Sequence, residues 1–495
     1  MRVLPLAVAA SVVALGAHGR ATAQVRPASV PLAAEHWAYE ALERLGAAGL
    51  LDGAWLAGER PLSEGSVAAA LRAAAARGRA RSSPLARFAA GVLARFAEEY
   101  PFADSGPVPP AASRARQQVA FGLRAGSGGP APERGAVVAG RFDVRLAGRL
   151  AVLYEPELRA GGPGGAALVQ RRALVAGRAG AWWAFAGRER FRWGPGAGGG
   201  LVLTDGVAFD GVALGLEDPV RLPGPARVLG PLRATLAVSV VGGDTLGPRV
   251  VFGAARLAVA PLPALQIGLN RTTIVAGQAA DGRRIGVGDV ARLLVGVHTR
   301  PDFDDDRASV DLRVRADVAR VPIVAYVELG FEDTAGAITE DPALVSGLYL
   351  PVIPGLPGVA LRYEYAAFGD DARFCWYCER EPRNWYRHGH PRAAYASEDG
   401  VPYGHPLGGY GREHRVEARA WLWDARLRLG LAVLSRDRGP GNLLYGWRPG
   451  ASRGAGLEAA YLVTTRARIE AAVEVERGRA GWRERAARVG VRAVL

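Results

Sequence analysis

Lysine is missing from this 495-residue chain: all 62 basic positions are arginine, set against 48 acidic ones for a formal charge of +14. Cysteine is nearly missing, with two residues, and methionine occurs once. Past its start the chain also lacks a long unbroken apolar run. The longest, Leu344 to Leu361, is interrupted by Pro351, Pro354 and Pro357, which excludes a continuous membrane-spanning helix. There is no Gly-x-Ser-x-Gly element, no phosphate loop, and no carboxylate pair that stands apart from rows of charge, so the reading is of a protein that is not an enzyme. Arginine forks grip carboxylate and phosphate oxygens bidentately, which points to acidic polymers or lipid phosphates as partners.

What the chain does have begins with an export signal. Arg2 is followed by an apolar stretch, Val3 to Gly16, too short to span a bilayer, and Ala21-Thr22-Ala23 fits a cleavage site. Residues 1–23 are therefore expected to be removed, and export argues against nucleic acid as a partner. Residues 24–100 carry three helical patterns. The first holds Trp37, Ala41, Leu42 and Leu45 at helical spacing and stops at Gly49; the second starts with Ser63 as N-cap; the third starts with Ser83 as N-cap and Pro84 at its first position. Residues 101–114, with prolines at 101, 107, 109 and 110, read as a linker.

From 115 to 495 the apolar period is two. Over 141–154, Phe142, Val144, Leu146, Leu150, Val152 and Tyr154 share one face, opposite Arg141, Asp143, Arg145 and Arg149. Leu312, Val314, Ala316 and Val318 likewise oppose Asp311, Arg313, Arg315 and Asp317. Two hairpins are legible, turning near Trp423-Asp424 and at Thr464-Thr465. Several strands run to about ten residues, the length a tilted membrane strand needs, where soluble strands average roughly five or six. The last run, Val489, Val491, Ala493 and Leu495, is an exposed edge unless it closes on the first strand. The expected fold is mainly β: a transmembrane antiparallel barrel of about 16–18 strands, at roughly twenty residues per strand and turn, behind a small three-helix periplasmic bundle. Its opposed arginine and carboxylate rows would line the lumen, and its place would be the outer membrane, with lipid, lipopolysaccharide and the barrel-insertion machinery as partners.

Residues 187–203 interrupt this regularity. Pro195 and the glycines at 194, 196, 198 and 199 mark tight turns or close backbone approach, so the segment is expected to be a fixed inward fold rather than a strand. Gly187-Arg188, Arg192-Trp193-Gly194-Pro195-Gly196, Gly199, Leu201 and Leu203-Thr204, together with Trp385-Tyr386-x-His388, Tyr395, Gly400, Tyr403-Gly404 and Pro406-Leu407-Gly408, resemble the Wzi family of outer-membrane capsule-assembly proteins. The resemblance covers the mature chain and implies an 18-stranded barrel acting as a lectin that holds capsular polysaccharide at the cell surface. It assigns the Arg-Trp-Gly-Pro-Gly cluster an architectural role. Leu495 stands where outer-membrane barrels usually end in an aromatic. The head also departs from the pattern: Glu35-His36-Trp37-Ala38-Tyr39 with Leu42, Leu45 and Gly49-Leu50-Leu51 resembles half of a surface-layer homology repeat, whose family binds cell-wall polymers such as peptidoglycan. A packing domain under a barrel is the other reading of it.

The richest candidate site is 366–411. Trp376, Tyr377, Trp385, Tyr386 and Tyr403 offer faces for sugar rings, and Arg383, Arg387 and His388 offer cations for uronate or pyruvate carboxylates. The same aromatics could instead pack on one another and plug the barrel. Cys375 and Cys378 are expected to form a local disulfide; with His388 and His390 they could alternatively hold zinc, though the pairs lie close together for a finger. No cofactor is expected. Asp302, Asp304 and Asp306 lack the turn glycine and closing glutamate of a calcium loop and read as a solvated turn. A general porin whose head docks on the cell wall is the alternative function.

Overall fold

The structure, a computed structural model, describes residues 28–51, 53, 55–101, 114–127, 135–146, 148–162, 165–241, 250–275, 304–332, 342–369, 385–386, 395–397, 400–464 and 466–494. The signal segment and linker residues 102–113 lie outside the described residues. Among the described residues, eighteen long strands form one closed antiparallel barrel. They are β1 (Arg114–Ser127), β2 (Gly135–Leu146), β3 (Leu150–Gly162), β4 (Gly165–Ala179), β5 (Trp182–Arg190) and β6 (Ala208–Leu216). Next come β7 (Pro231–Val241), β8 (Val250–Leu262), β9 (Leu265–Val275), β10 (Asp304–Val318), β11 (Val321–Glu332) and β12 (Ala343–Leu350). The last six are β13 (Val359–Phe368), β14 (Gly411–Leu422), β15 (Leu427–Arg438), β16 (Gly450–Thr464), β17 (Ala467–Gly478) and β18 (Arg483–Val494). Each pairs with its sequence neighbours, and β18 closes on β1 from Gln118 opposite Val494 to Ser127 opposite Arg485. Closure leaves the terminal strand no free edge.

The alternation places the side chains as expected. Leu429, Leu431 and Val433 on β15 and Leu457 and Tyr461 on β16 point outward and are exposed, while Arg141, Asp143 and Arg145 of β2 and Asp311 and Arg313 of β10 are buried inside. The run 141–154 is two strands, not one: the chain turns between Leu146 and Leu150, which pair across the hairpin. Short turns gather at one end of the barrel. The β10–β11 turn is Ala319-Arg320 and the β14–β15 turn contains Trp423, Asp424 and Ala425, all five at positive φ. Strands β5, β9 and β13, each followed by a long stretch of sequence, end at the other mouth. Among the described residues no helix is long and apolar enough to cross a membrane.

The head has three helices, α1 (Trp37–Ala47), α2 (Glu64–Ala80) and α3 (Ala86–Glu99). The Ala38 amide donates to His36 Nδ1 (3.2 Å), capping α1, and the Ser66 amide donates to Ser63 Oγ (3.0 Å), capping α2. The third helix begins later than the sequence implies. Ser83 Oγ accepts from the Leu85 amide and the Ala86 amide bonds Ser83 O, so Ser83 and Pro84 form a preceding turn instead of the cap and first position.

Trp37, Leu42, Leu45, Leu71, Phe88, Val92 and Phe96 form the head's core, and Trp421 of β14 belongs to the same cluster, its ring 5.3 Å from Phe88. The head therefore fills the short-turn mouth of the barrel rather than hanging beneath it. Arg44 Nε donates to Pro351 O (2.8 Å), Arg95 to Ala425 O (3.2 Å), and the Ala28 amide to Gly148 O (2.8 Å), so one body grips three separate turns. Charge completes the fit. Glu64, fully buried at the start of α2, meets Arg116 (3.1 Å), Arg141 (2.6 Å) and Arg145 (3.3 Å) of β1 and β2. Glu43 meets Arg362 at 2.7 Å, Glu40 meets Arg428 at 3.0 Å, and Glu99 meets Arg468 at 3.4 Å. Buried carboxylates of the head thus meet arginines around the mouth, and stripping one partner from such a buried pair costs about 3–5 kcal/mol.

Candidate functional site

The inward segment after β5 meets the head inside the lumen. Arg192–Trp193 forms a two-residue strand antiparallel to Glu59–Arg60, with Glu59 opposite Trp193 and Arg60 opposite Arg192. The expectation that 187–203 contains no strand is corrected here: residues 187–190 finish β5, and Arg192–Trp193 finds a partner from the other end of the molecule. The Gly194 amide adds a bond to Gly58 O (2.9 Å), and the Trp193 amide folds the segment back on Leu203 O (3.0 Å). Arg192 holds the turn from within, donating to Gly196 O (2.9 Å) and Ala197 O.

Two strand carboxylates pin the segment from the wall. Glu364 of β13 accepts the Ala197 amide (2.6 Å), the Gly198 amide (2.7 Å) and the Tyr326 hydroxyl (2.6 Å). Glu328 of β11 accepts the Leu201 amide (3.2 Å) and the Ser309 hydroxyl (2.7 Å). This explains the glycines. A Cβ on Gly194, at φ +101°, would stand 2.3 Å from Glu328 Oε2, and one on Gly198 would stand 2.7 Å from Glu364 Oε1. Trp193 is fully buried between these layers. At the neighbouring motif positions, Gly187 lies within β5 at φ +137°, where a Cβ would stand 2.1 Å from Ala173 O, and Arg188 forms an exposed ion pair with Asp210 (2.7 Å). Pro195 stands between Gly194 and Gly196 at the tip.

Above this seam the described part of 369–410 packs downward. Tyr386 donates to Leu201 O (2.7 Å) and accepts from the His405 amide (2.6 Å), and the Thr204 amide donates to Tyr403 O (2.6 Å). Arg307 of β10 donates to Trp385 O (2.8 Å) and lies over the Tyr395 ring at 4.6 Å. Tyr403 stacks edge-on against Phe209 (5.2 Å) and Phe252 (5.5 Å). Trp385, Tyr386 and Tyr403 are thereby buried, joined by Phe368. His405 is sealed beneath them; burial pushes its imidazole down to about 4, with Glu413 pulling the other way.

Of the sequence-predicted binding residues, Trp385, Tyr386 and Tyr403 come together in this layer. Trp376, Tyr377, Arg383, Arg387 and His388 lie outside the described residues, as do Cys375 and Cys378. Among the described residues no group of three or more His, Cys, Asp or Glu side chains is placed to hold a metal ion. Glu328, Glu364 and Arg307 were not singled out from sequence. Each is one charge in an alternating row, and nothing local separates a residue that pins a loop from one that pairs across strands.

Comparison with known proteins bears on this geometry. The family model described as capsule assembly protein Wzi matches residues 123–484. No curated protein matches the chain by sequence. Among solved structures, Wzi of Escherichia coli, described as an outer-membrane protein involved in group 1 capsule assembly and a carbohydrate-binding β-barrel, superposes with a TM-score of 0.69 at 16% identity, covering 91% of this chain and 97% of that one. OccK3 (OpdO) of Pseudomonas aeruginosa gives 0.48 at 13% identity over 77% of this chain and 95% of that one. A mutant OccD1 (OprD) gives 0.45 at 11% identity over 79% and 99%.

Proposed function

The chain belongs to the Wzi capsule-assembly family and is an outer-membrane β-barrel, and from that premise we propose that it is a non-enzymatic lectin holding acidic capsular or exopolysaccharide at the cell surface. The observation that carries this reading over a general porin is the lumen seam, where Glu59–Arg60 of the head pairs with Arg192–Trp193 of the inward segment. A pore has no use for a two-ended plug pinned by buried carboxylates; a platform that must keep its outer surface in shape does.

In this reading the long-loop end faces outward. Trp385, Tyr386 and Tyr403 fix the base of 366–411, and Trp376, Tyr377, Arg383, Arg387 and His388 offer rings and cations to a carboxylated polymer. Cys375 and Cys378 close a local disulfide that shortens the loop. Residues 1–23 are removed on export, the insertion machinery places the barrel among lipid and lipopolysaccharide, and the head faces the periplasm and peptidoglycan. The test is to replace Arg383 and Arg387 together by Ala and compare cell-bound with shed polysaccharide at equal levels of inserted barrel. Polymer moving into the shed fraction is the expected result; an unchanged distribution overturns the assignment.

A further inference from the structure

Three arginines meet where the head strand and the inward strand pair, around one cavity that two carboxylates, Glu43 and Glu59, also line. Arg60 stands directly opposite Arg192 in the two-residue ladder. Like charges in that position repel each other. Arg313 of β10 completes the group, only 6% exposed, with Nη2 buried and without a hydrogen-bond partner. All three line one small cavity of about 20 Å³. It adjoins a second, of about 90 Å³, through the shared residues Glu43, Arg60 and Arg192. About 10–15 Å³ is enough for one water, so the pair has room for a small ion and its hydration.

The nearby carboxylates are already engaged. Glu43 is held by Arg362 at 2.7 Å, and Glu59 by the Thr235 hydroxyl and by Arg233 at 3.3 Å; in the adjoining cavity Glu40 is held by Arg419 and Arg428, each at 3.0 Å, and Glu417 by Arg415 at 2.6 Å. Arg60 has the Ala34 carbonyl (2.9 Å) and the Tyr39 ring, and Arg192 has two carbonyls with Asp205 at 3.6 Å. Burial, and after it the facing Arg192, push the Arg60 guanidinium below its ordinary range. Arg313 also lines a vestibule of about 260 Å³ at the short-turn mouth, together with Arg221 and Arg315 and no carboxylate among the described lining residues.

We infer that Arg60, Arg192 and Arg313 form an internal site for a small inorganic anion, which neutralises the opposed arginines and fastens the head to the inward segment. The cavity is too small for a sugar polymer, so this site is separate from the polysaccharide surface and stands or falls independently of it.

The test uses the full chain in detergent, exchanged into gluconate, an anion too large for the cavity. Sodium sulfate or bromide is then added at constant ionic strength while thermal unfolding is followed. The expected result is a rise in midpoint that saturates, with apparent affinity weakened about tenfold or more in Arg313→Gln. A rise that never saturates, or one identical in both proteins, overturns the inference. Crystals soaked in bromide give a reading that needs no variant: an anomalous peak within hydrogen-bond reach of the three guanidiniums supports the site even if Arg313→Gln fails to fold, and no peak there overturns it.

Discussion

Single residues decide how tightly the seam closes. Gly194 has both a positive φ and a carboxylate oxygen where a Cβ would go. Gly194→Ala is expected to cost about 3 kcal/mol through strain and overpacking together, measured by denaturant unfolding in detergent. The need for glycine was legible in the sequence, because a proline among clustered glycines signals close approach; its partners Glu328 and Glu364 were not.

Protons act at the other end of the plug. His36 is buried, which pushes its imidazole from 6.5 down to about 4 against the pull of Glu99. The unfolded head takes up this proton near pH 6.5 and the docked head only near 4, so the contribution of His36 is fully present above 6.5 and is lost as pH falls toward 4. Glu64 works in the same direction lower down. Burial would raise its carboxyl, but Arg116, Arg141 and Arg145 outweigh burial and hold it below 4.5, so its contribution is lost as pH falls through that lowered value. Protease release of the head, followed against pH, should therefore increase between 6.5 and 4. His36→Asn, which keeps a helix-capping side chain, should flatten that part of the curve.

At the scale of elements, most of the barrel was readable. Residues i and i+2 share a face, so rows such as Leu429, Leu431 and Val433 announce a lipid-facing strand without any knowledge of its partners. Leu431→Arg on that face is expected to cost about 2–4 kcal/mol in urea titrations of folding into lipid vesicles. The turn at 147–149 was hidden by parity: Leu146 and Leu150 are an even number apart, so the outward face continues through the hairpin as though one strand ran on. The Arg192–Trp193 strand was hidden for a different reason. Its partner, Glu59–Arg60, lies more than a hundred residues earlier, and two residues carry no period of their own. The start of α3 slipped because Ser83 and Pro84 make as good a turn as a cap.

For the molecule as a whole, the sequence implied a barrel with a helical head but not how far the head enters. That depth depends on acids scattered along the head, Glu40, Glu43, Glu64 and Glu99, meeting arginines from six different strands. Several of the arginines that first suggested acidic partners thus answer the protein's own carboxylates. In the proposed function polysaccharide takes the outer loop end, above the buried layer of Trp385, Tyr386 and Tyr403.

If the head and the inward segment together shut the lumen, as the proposed holding role requires, the intact protein does not conduct. A planar lipid bilayer recording of the full-length protein reads this without any variant. Near silence at neutral pH, with no steady open level after insertion, is the expected result. A large, steady, ohmic conductance from the intact chain would contradict it.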